Sequence, residues 1–292
     1  MSLTTLGQAV VAGLANGAFY ALLALAFAAV FGLTRALNLA HGEWVLLGGY
    51  VGYTAGRLSG WPPLVLAPVA AVALIPIGLV WRALLRRVRE PVELNSMALT
   101  FGLSLLLQDA MLATWSADYR IIASAAENDA AGGFRGMSSW QAAAAGVALL
   151  TIVGLQLLLD HTRWGVAVRA TARDAGMAAL LGVNTDLVSV ASFAAAAAVA
   201  GLAGVLFAMC HYLHPGAGAE LTLSAITLAI LGRAGSRPEP LLGLLGAGLA
   251  IGLLEALTLA WAGPRWRELV VVAVLLAVLL ALPGALERKP TG

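Results

Sequence analysis

Apolar residues in this chain neither alternate nor recur on a single face; they fill runs long enough to cross a bilayer. A hydrocarbon core takes roughly 20 helical residues, and runs near that size cover about 9–33, 63–81, 95–115, 139–160, 187–210, 241–261 and 267–283. Two shorter apolar pieces, about 43–57 and 220–232, each follow a polar junction containing glycine. They are either full short spans or re-entrant half-helices, and counting both gives nine crossings. In lipid every backbone N–H and C=O must pair internally, so isolated spanning runs are helices. The pattern predicts an all-α, polytopic integral-membrane bundle of about 8–9 spans with two short or broken helices. It forms a single integral-membrane domain over 1–292.

Composition closes off the soluble alternative. The chain is 61% apolar and 11% charged, with a mean hydropathy of +0.90. An average soluble domain carries about 25% charged residues, so the polar surface for a water-soluble globule is missing. A pI near 9.0 comes from 17 basic against 15 acidic residues, too small an excess for a nucleic-acid footprint. One cysteine, Cys210, excludes an internal disulfide framework. Met1 to Gln8 lacks a positive n-region and the apolar run after it is too long for a signal peptide, which predicts a retained first span.

Charge sets the expected orientation. If loop 82–94 with Arg82, Arg86, Arg87 and Arg89 is cytoplasmic, alternation also puts Arg35, Arg163, Arg169, Arg173, Arg233, Arg237, Arg288 and Lys289 inside. Only Arg57, Arg120, Arg135, Arg265 and Arg267 then lie outside. The bias predicts an outside N-terminus and an inside C-terminus, provided both short pieces cross. Residues 116–138, with Gly132-Gly133, form an external segment, and 161–186 form the longest internal polar segment, helical from Trp164 to Leu181. Neither is long enough for a receptor or motor domain.

Candidate chemistry is sparse. Lys289 is the only lysine and precedes Pro290, so the Gly-Lys-Ser/Thr of a P-loop is absent. Any ATP-driven motor must be another polypeptide. Arg35, Asn38, His41, Gly42 and Glu43 cluster between two apolar runs. Ionisable groups at membrane depth often mark a pathway, whereas a hydrated cytoplasmic turn would carry the same residues. A metal site is the weaker reading, because His41 and Glu43 are two apart and do not share a helix face. His214-Pro215-Gly216-Ala217-Gly218-Ala219-Glu220 precedes the second short piece, so both halves hold a His-and-Gly junction, a Glu and a short run. Paired interrupted segments point to a midplane site in transporter folds. Gly48, Gly52 and Gly56, and Gly248 and Gly252, recur every four residues, as close helix packing requires. Glu255 lies deep in its run and needs a partner or a wet cavity, and Asn16 and Tyr20 share a face of the first run. A structural or a transport role suits these last three equally.

At these residues the chain resembles the membrane permeases of bacterial branched-chain amino acid ABC importers, over nearly their full length. Matching stretches are Asn16 to Leu22, Phe31-Gly32, and Leu37-Asn38-Leu39-Ala40-His41-Gly42-Glu43. Next come Arg169-Ala170 through Asp174, Met177-Ala178 and Leu180 to Asp186. Ala203 to Leu206, Leu231-Gly232, Gly235-Ser236 and Gly252 to Leu257 complete the series. The resemblance implies broken helices, a second homologous permease subunit alongside, two ATP-binding cassette subunits at the cytoplasmic face and an external solute-binding protein. It implies a multi-pass protein of the bacterial inner membrane that moves a small polar solute inward, without cofactor, metal, nucleic acid or enzymatic activity of its own. Asn16, Tyr20, Asn38, His41, Gly42, Glu43, Ser224 and Glu255 are then expected along the solute pathway. Arg163, Arg169, Asp174, Gly182 and Asn184 are expected to couple to the ATPase. The family usually has Asn-Pro at His214-Pro215, a basic residue at Ser224 and a Gly at Arg233. These departures flank the second junction and leave urea or short amides open as alternative substrates.

Two rivals come from other classes. An ion- or proton-coupled secondary transporter would use His41, Glu43 and Glu255 as a relay but has no need of the Arg-bearing 161–186 segment. An intramembrane hydrolase would need a paired nucleophile and base, and neither Gly-x-Ser-x-Gly nor His-Glu-x-x-His occurs.

Overall fold

The computed structural model describes residues 3–34, 36–122, 139–235 and 240–266, with single positions between 269 and 280. The described elements are helices: α1 (Leu3–Thr34), α2 (His41–Ser59), α3 (Pro63–Leu85), α4 (Val92–Trp115), α5 (Ser139–His161), α6 (Arg163–Arg173), α7 (Ala175–Leu180), α8 (Thr185–Cys210), α9 (Gly218–Gly235) and α10 (Pro240–Ala262). Short 3-10 turns cover Pro215–Ala217 and Pro264–Trp266. Arg35, Gly132-Gly133, Arg135, Ser236, Arg237, Arg267, Arg288 and Lys289 lie outside the described residues, as do the side chain of Arg233 and most of the run 267–283.

Seven of the described helices are long and apolar enough to cross a membrane. They include the second short piece, which the Pro215–Gly232 segment extends to spanning length. The first short piece forms α2, a continuous helix of 19 residues whose glycine, tyrosine and polar content keeps it out of that set. Both polar junctions therefore sit before a helix rather than inside one.

Helix ends follow local chemistry. Gly60 closes α2 in the left-handed conformation (φ 68°) that glycine adopts without a Cβ clash, and Pro63 starts α3 at a position where no N–H is needed. Asn184 starts α8 by accepting from the Leu187 N–H at 3.0 Å.

The core forms around α8, whose spanning window is 72% buried against 17% for α4 and for α5. Small residues bring backbones together there. Gly48 on α2 faces the backbone of Gly201 on α8, and Gly204 faces Val45 and Gly49. Gly78 on α3 packs on Phe193 and Ala197 of α8. Between α1 and α10 the pairs are Gly13 with Gly252 and Gly17 with Gly248. The regular glycine spacing thus marks packing faces. In a membrane, where apolar burial does not drive helices together, this close contact is what holds them.

Candidate functional site

The segment after α1 folds back on its own helix. The His41 ring lies 3.1 Å from the carbonyl of Leu23, through Nε2. That carbonyl only accepts, so His41 holds its proton on Nε2. Leu23 is eleven residues before the end of α1 at Thr34, about 16 Å back along the axis. The break between α1 and α2 is therefore a re-entry toward mid-helix depth. Asn38 shapes it, its Oδ1 accepting from the Ala40 N–H at 3.1 Å and from the Trp81 indole at 3.2 Å. Thr100 on α4 accepts from the Leu39 N–H at 3.1 Å. Phe27, Trp44 and Trp81 surround the His41 and Asn38 side chains, with the two indoles edge to face at 5.3 Å.

The start of α9 meets the start of α2. The Thr222 hydroxyl accepts from the Gly42 N–H at 2.8 Å and has the Leu39 and Gly218 carbonyls at 3.2 and 3.0 Å as acceptors for its own proton. A Cβ on Gly42 would run into the Gly218 carbonyl, and a Cβ on Gly218 would run into the Glu43 carboxylate. Gly42 meets backbone and tolerates no side chain, whereas a side chain at Gly218 would have to displace the Glu43 carboxylate. Glu43 is buried, and its Oε1 accepts from Ser104 on α4 at 2.8 Å. Two helix N-termini, each the positive end of its macrodipole, thus converge beside one carboxylate. Asn38 Nδ2, His41 Nδ1, Glu43 Oε2 and Trp44 Nε1 are buried with no hydrogen-bond partner among the described residues, an unusual concentration for one junction.

The eight residues expected along a pathway fall in different places. Asn38, His41, Gly42 and Glu43 form the junction. Ser224 is buried in α9, but two positions beyond Thr222 it occupies another face. Asn16 is half-buried beside Gln141, Leu206 and His211, between α1, α5 and α8, and Tyr20 is buried one turn further along α1. Glu255 is buried in α10 near Gly252, against the first half of α1 and away from Leu23 and Phe27. Four junction residues were not anticipated: Trp81, Thr100, Ser104 and Thr222. Ser96, Thr100, Ser104 and Gln108 recur every four residues, a stripe that could have revealed the inward face of α4. Nothing in the sequence marks Thr222.

The segment 161–186 has a different build. Asp174, extended at φ −154° and ψ 104°, ends α6 and caps α7 by accepting from the Met177 N–H at 2.9 Å. The expected helix from Trp164 to Leu181 is thereby divided in two. Arg169 reaches back to Asp160 at 3.4 Å and to the Leu159 carbonyl, pinning α6 to the end of α5. Gly182 turns the chain at φ 86°. Arg163, Arg169, Asp174, Gly182 and Asn184 are all exposed, and among them Val166, Met177, Leu180 and Leu181 present apolar side chains outward. Leu180 is 84% exposed.

Residues 9–279 match the family described as branched-chain amino acid transport system / permease component. The chain belongs to this permease family. It is similar to the high-affinity branched-chain amino acid transport system permease protein LivH of Escherichia coli K12, 32% identical over 95% of this chain and 94% of that protein. Similarity to the corresponding BraD protein of Pseudomonas aeruginosa is 30% identity over 97% of this chain and 96% of the relative. A probable LivH of Methanocaldococcus jannaschii is 28% identical over 81% and 76% of the two chains. No solved structure matches significantly. The protein is accordingly a multi-pass, inner-membrane transport component rather than an enzyme.

Proposed function

We propose that this permease-family chain is the membrane-spanning subunit of an ATP-driven importer, moving branched-chain amino acids inward. The observation that carries the reading is the α6–α7 elbow. Its backbone is fixed by Asp174, Gly182 and Asn184, yet Met177, Leu180 and Leu181 are exposed. A rigid elbow offering an apolar tip flanked by Arg163 and Arg173 is suited to a groove in a second protein. Because the chain has no P-loop lysine, that protein is the ATP-binding cassette subunit, two per importer. A second homologous permease completes the membrane unit, and an external binding protein delivers the solute. The α2–α9 junction, with polar groups at depth and glycine at the contact, flanks the passage. Asn38 and His41 hold the re-entry in shape.

Affinity purification after co-expression with the genomically adjacent ATPase tests the reading. The wild-type chain is expected to retain the ATPase and to support ATP-dependent leucine uptake with its binding protein. Uptake that persists without any ATPase would overturn it in favour of a secondary transporter.

A further inference from the structure

Two features around α4 and the start of α9 bear on which end of a solute this permease engages. The first is carboxylates on open helix faces. Asp109 lies in the spanning window of α4 and is exposed. With α4 turning 100° per residue, it points almost opposite to the buried stripe of Ser96, Thr100 and Ser104. Glu220, in the first turn of α9, is exposed as well. A carboxylate on a span is costly against acyl chains and is kept where water reaches.

The second is a polar track of falling exposure that ends on an acid. Tyr119 and Tyr212 are exposed and meet edge to face at 6.3 Å, and Tyr119 lies 5.3 Å from the His214 ring. Beyond them His214 and Gln108 are half-buried and approach one another across Gly216. One turn deeper on α4, Ser104 is nearly buried and donates to Glu43, which is 2% exposed. The second oxygen of that carboxylate, Oε2, has no partner among the described residues. Gly218 lies against the Glu43 carboxylate, and the turn Pro215–Ala217 before it packs on α2 and α4, its Ala217 N–H donating to the His214 carbonyl at 3.1 Å.

We infer that this track is a cation-selective cleft with Glu43 as its floor, and that it takes the ammonium group of a zwitterionic solute. The inference rests on the permease reading for what passes, and names an α-amino acid rather than urea or an amide. Arg120, the nearby cation, faces Asp118 at 3.7 Å and donates to the Trp115 carbonyl and the Tyr53 hydroxyl rather than to Glu43. The side-chain oxygens of Gln108 and Ser104 offer acceptors to a positive group on its way inward, and displacement of the Pro215–Ala217 turn exposes Oε2.

Cysteine reactivity tests this on the assembled importer in membrane vesicles, in a Cys210→Ser background. Gln108→Cys is reacted from outside with a cationic and with an anionic methanethiosulfonate, each rate normalised to Leu58→Cys at the exposed end of α2. The cationic reagent is expected to be favoured by about tenfold or more, as charge focused in a cleft produces. Glu43→Gln, which keeps an acceptor for Ser104, is expected to bring the ratio to within about threefold of unity. Asp109→Asn and Glu220→Gln, with Glu43 intact, are expected to retain most of the preference. Equal rates in the Glu43 protein, or a preference that vanishes only with Asp109 and Glu220, would overturn the inference. Leucine uptake separates the two levels: if no variant and not even the parent carries leucine, the permease reading fails for that solute, whereas the reagent ratio still decides the cleft.

Discussion

The α2–α9 junction and the α6–α7 elbow are both polar interruptions in an apolar chain, yet they are finished to different degrees. At the junction the two helix starts close on one another within the chain, although Asn38 Nδ2, His41 Nδ1, Glu43 Oε2 and Trp44 Nε1 keep no hydrogen-bond partner among the described residues. Gly42 leaves no room for a side chain, and the hydroxyls of Thr100, Ser104 and Thr222 meet backbone groups or Glu43. The elbow is equally well capped along its backbone, but its apolar side chains end in solvent. One region packs its side chains on this chain, and the other leaves apolar side chains exposed. Substitutions in the first should therefore register as lost stability of the isolated protein, and in the second as lost association.

The largest stability effect is expected at Gly42. Gly42→Ala forces a methyl group into the Gly218 backbone, and neither helix start has slack, so destabilisation by about 3 kcal/mol is expected. Thermal unfolding of the purified subunit in detergent measures it, and an unchanged midpoint would show that the two helix starts do not seal one another. Next comes Thr222→Val, which keeps shape but leaves the Gly42 N–H without its 2.8 Å acceptor. Stranding one buried donor costs about 1–3 kcal/mol, and the same unfolding assay should place this variant between Gly42→Ala and the parent. Gly182→Ala is expected to cost about 1 kcal/mol, because a Cβ is strained at φ 86° although the space around it is open. A loss as large as that of Gly42→Ala would mean the elbow is packed rather than free.

The smallest stability effect should accompany the largest functional one. Leu180→Ser with Leu181→Ser removes apolar surface that is mostly exposed. The unfolding midpoint should stay within about 0.5 kcal/mol of the parent, while ATPase retention on an affinity resin is lost. Retained ATPase in this variant would move the docking surface elsewhere.

Much of this was legible in the sequence, and unevenly so. The span positions follow from run length alone, since lipid leaves few options for a long apolar segment. The glycine spacing of Gly248 and Gly252 correctly announced a close helix contact, though not that its counterparts would be Gly13 and Gly17. His41 and Glu43 were identifiable as a break, but their partners Leu23 and Ser104 were not. Those contacts depend on the chain doubling back after Thr34, which no local pattern encodes. Ser224 shows a different limit. It lies in the right helix, yet the turn of α9 gives Thr222 the contact with Gly42 and faces Ser224 elsewhere. Helix register is fixed by packing between distant segments, so a sequence reading finds the helix before it finds the face.

The hydrogen bond from Gly42 to Thr222 spans 180 residues of chain, and that separation has a consequence for biogenesis. A ribosome adding about 5–20 residues per second leaves the start of α2 in the translocating bilayer for roughly ten to forty seconds before Thr222 exists. During that wait the re-entrant segment must survive on contacts already synthesised. Asn38 to Ala40 and His41 to Leu23 are such contacts, the second only 18 residues apart. Both can form before the second half of the chain is made, so the start of α2 does not have to wait for Thr222 to be held in place.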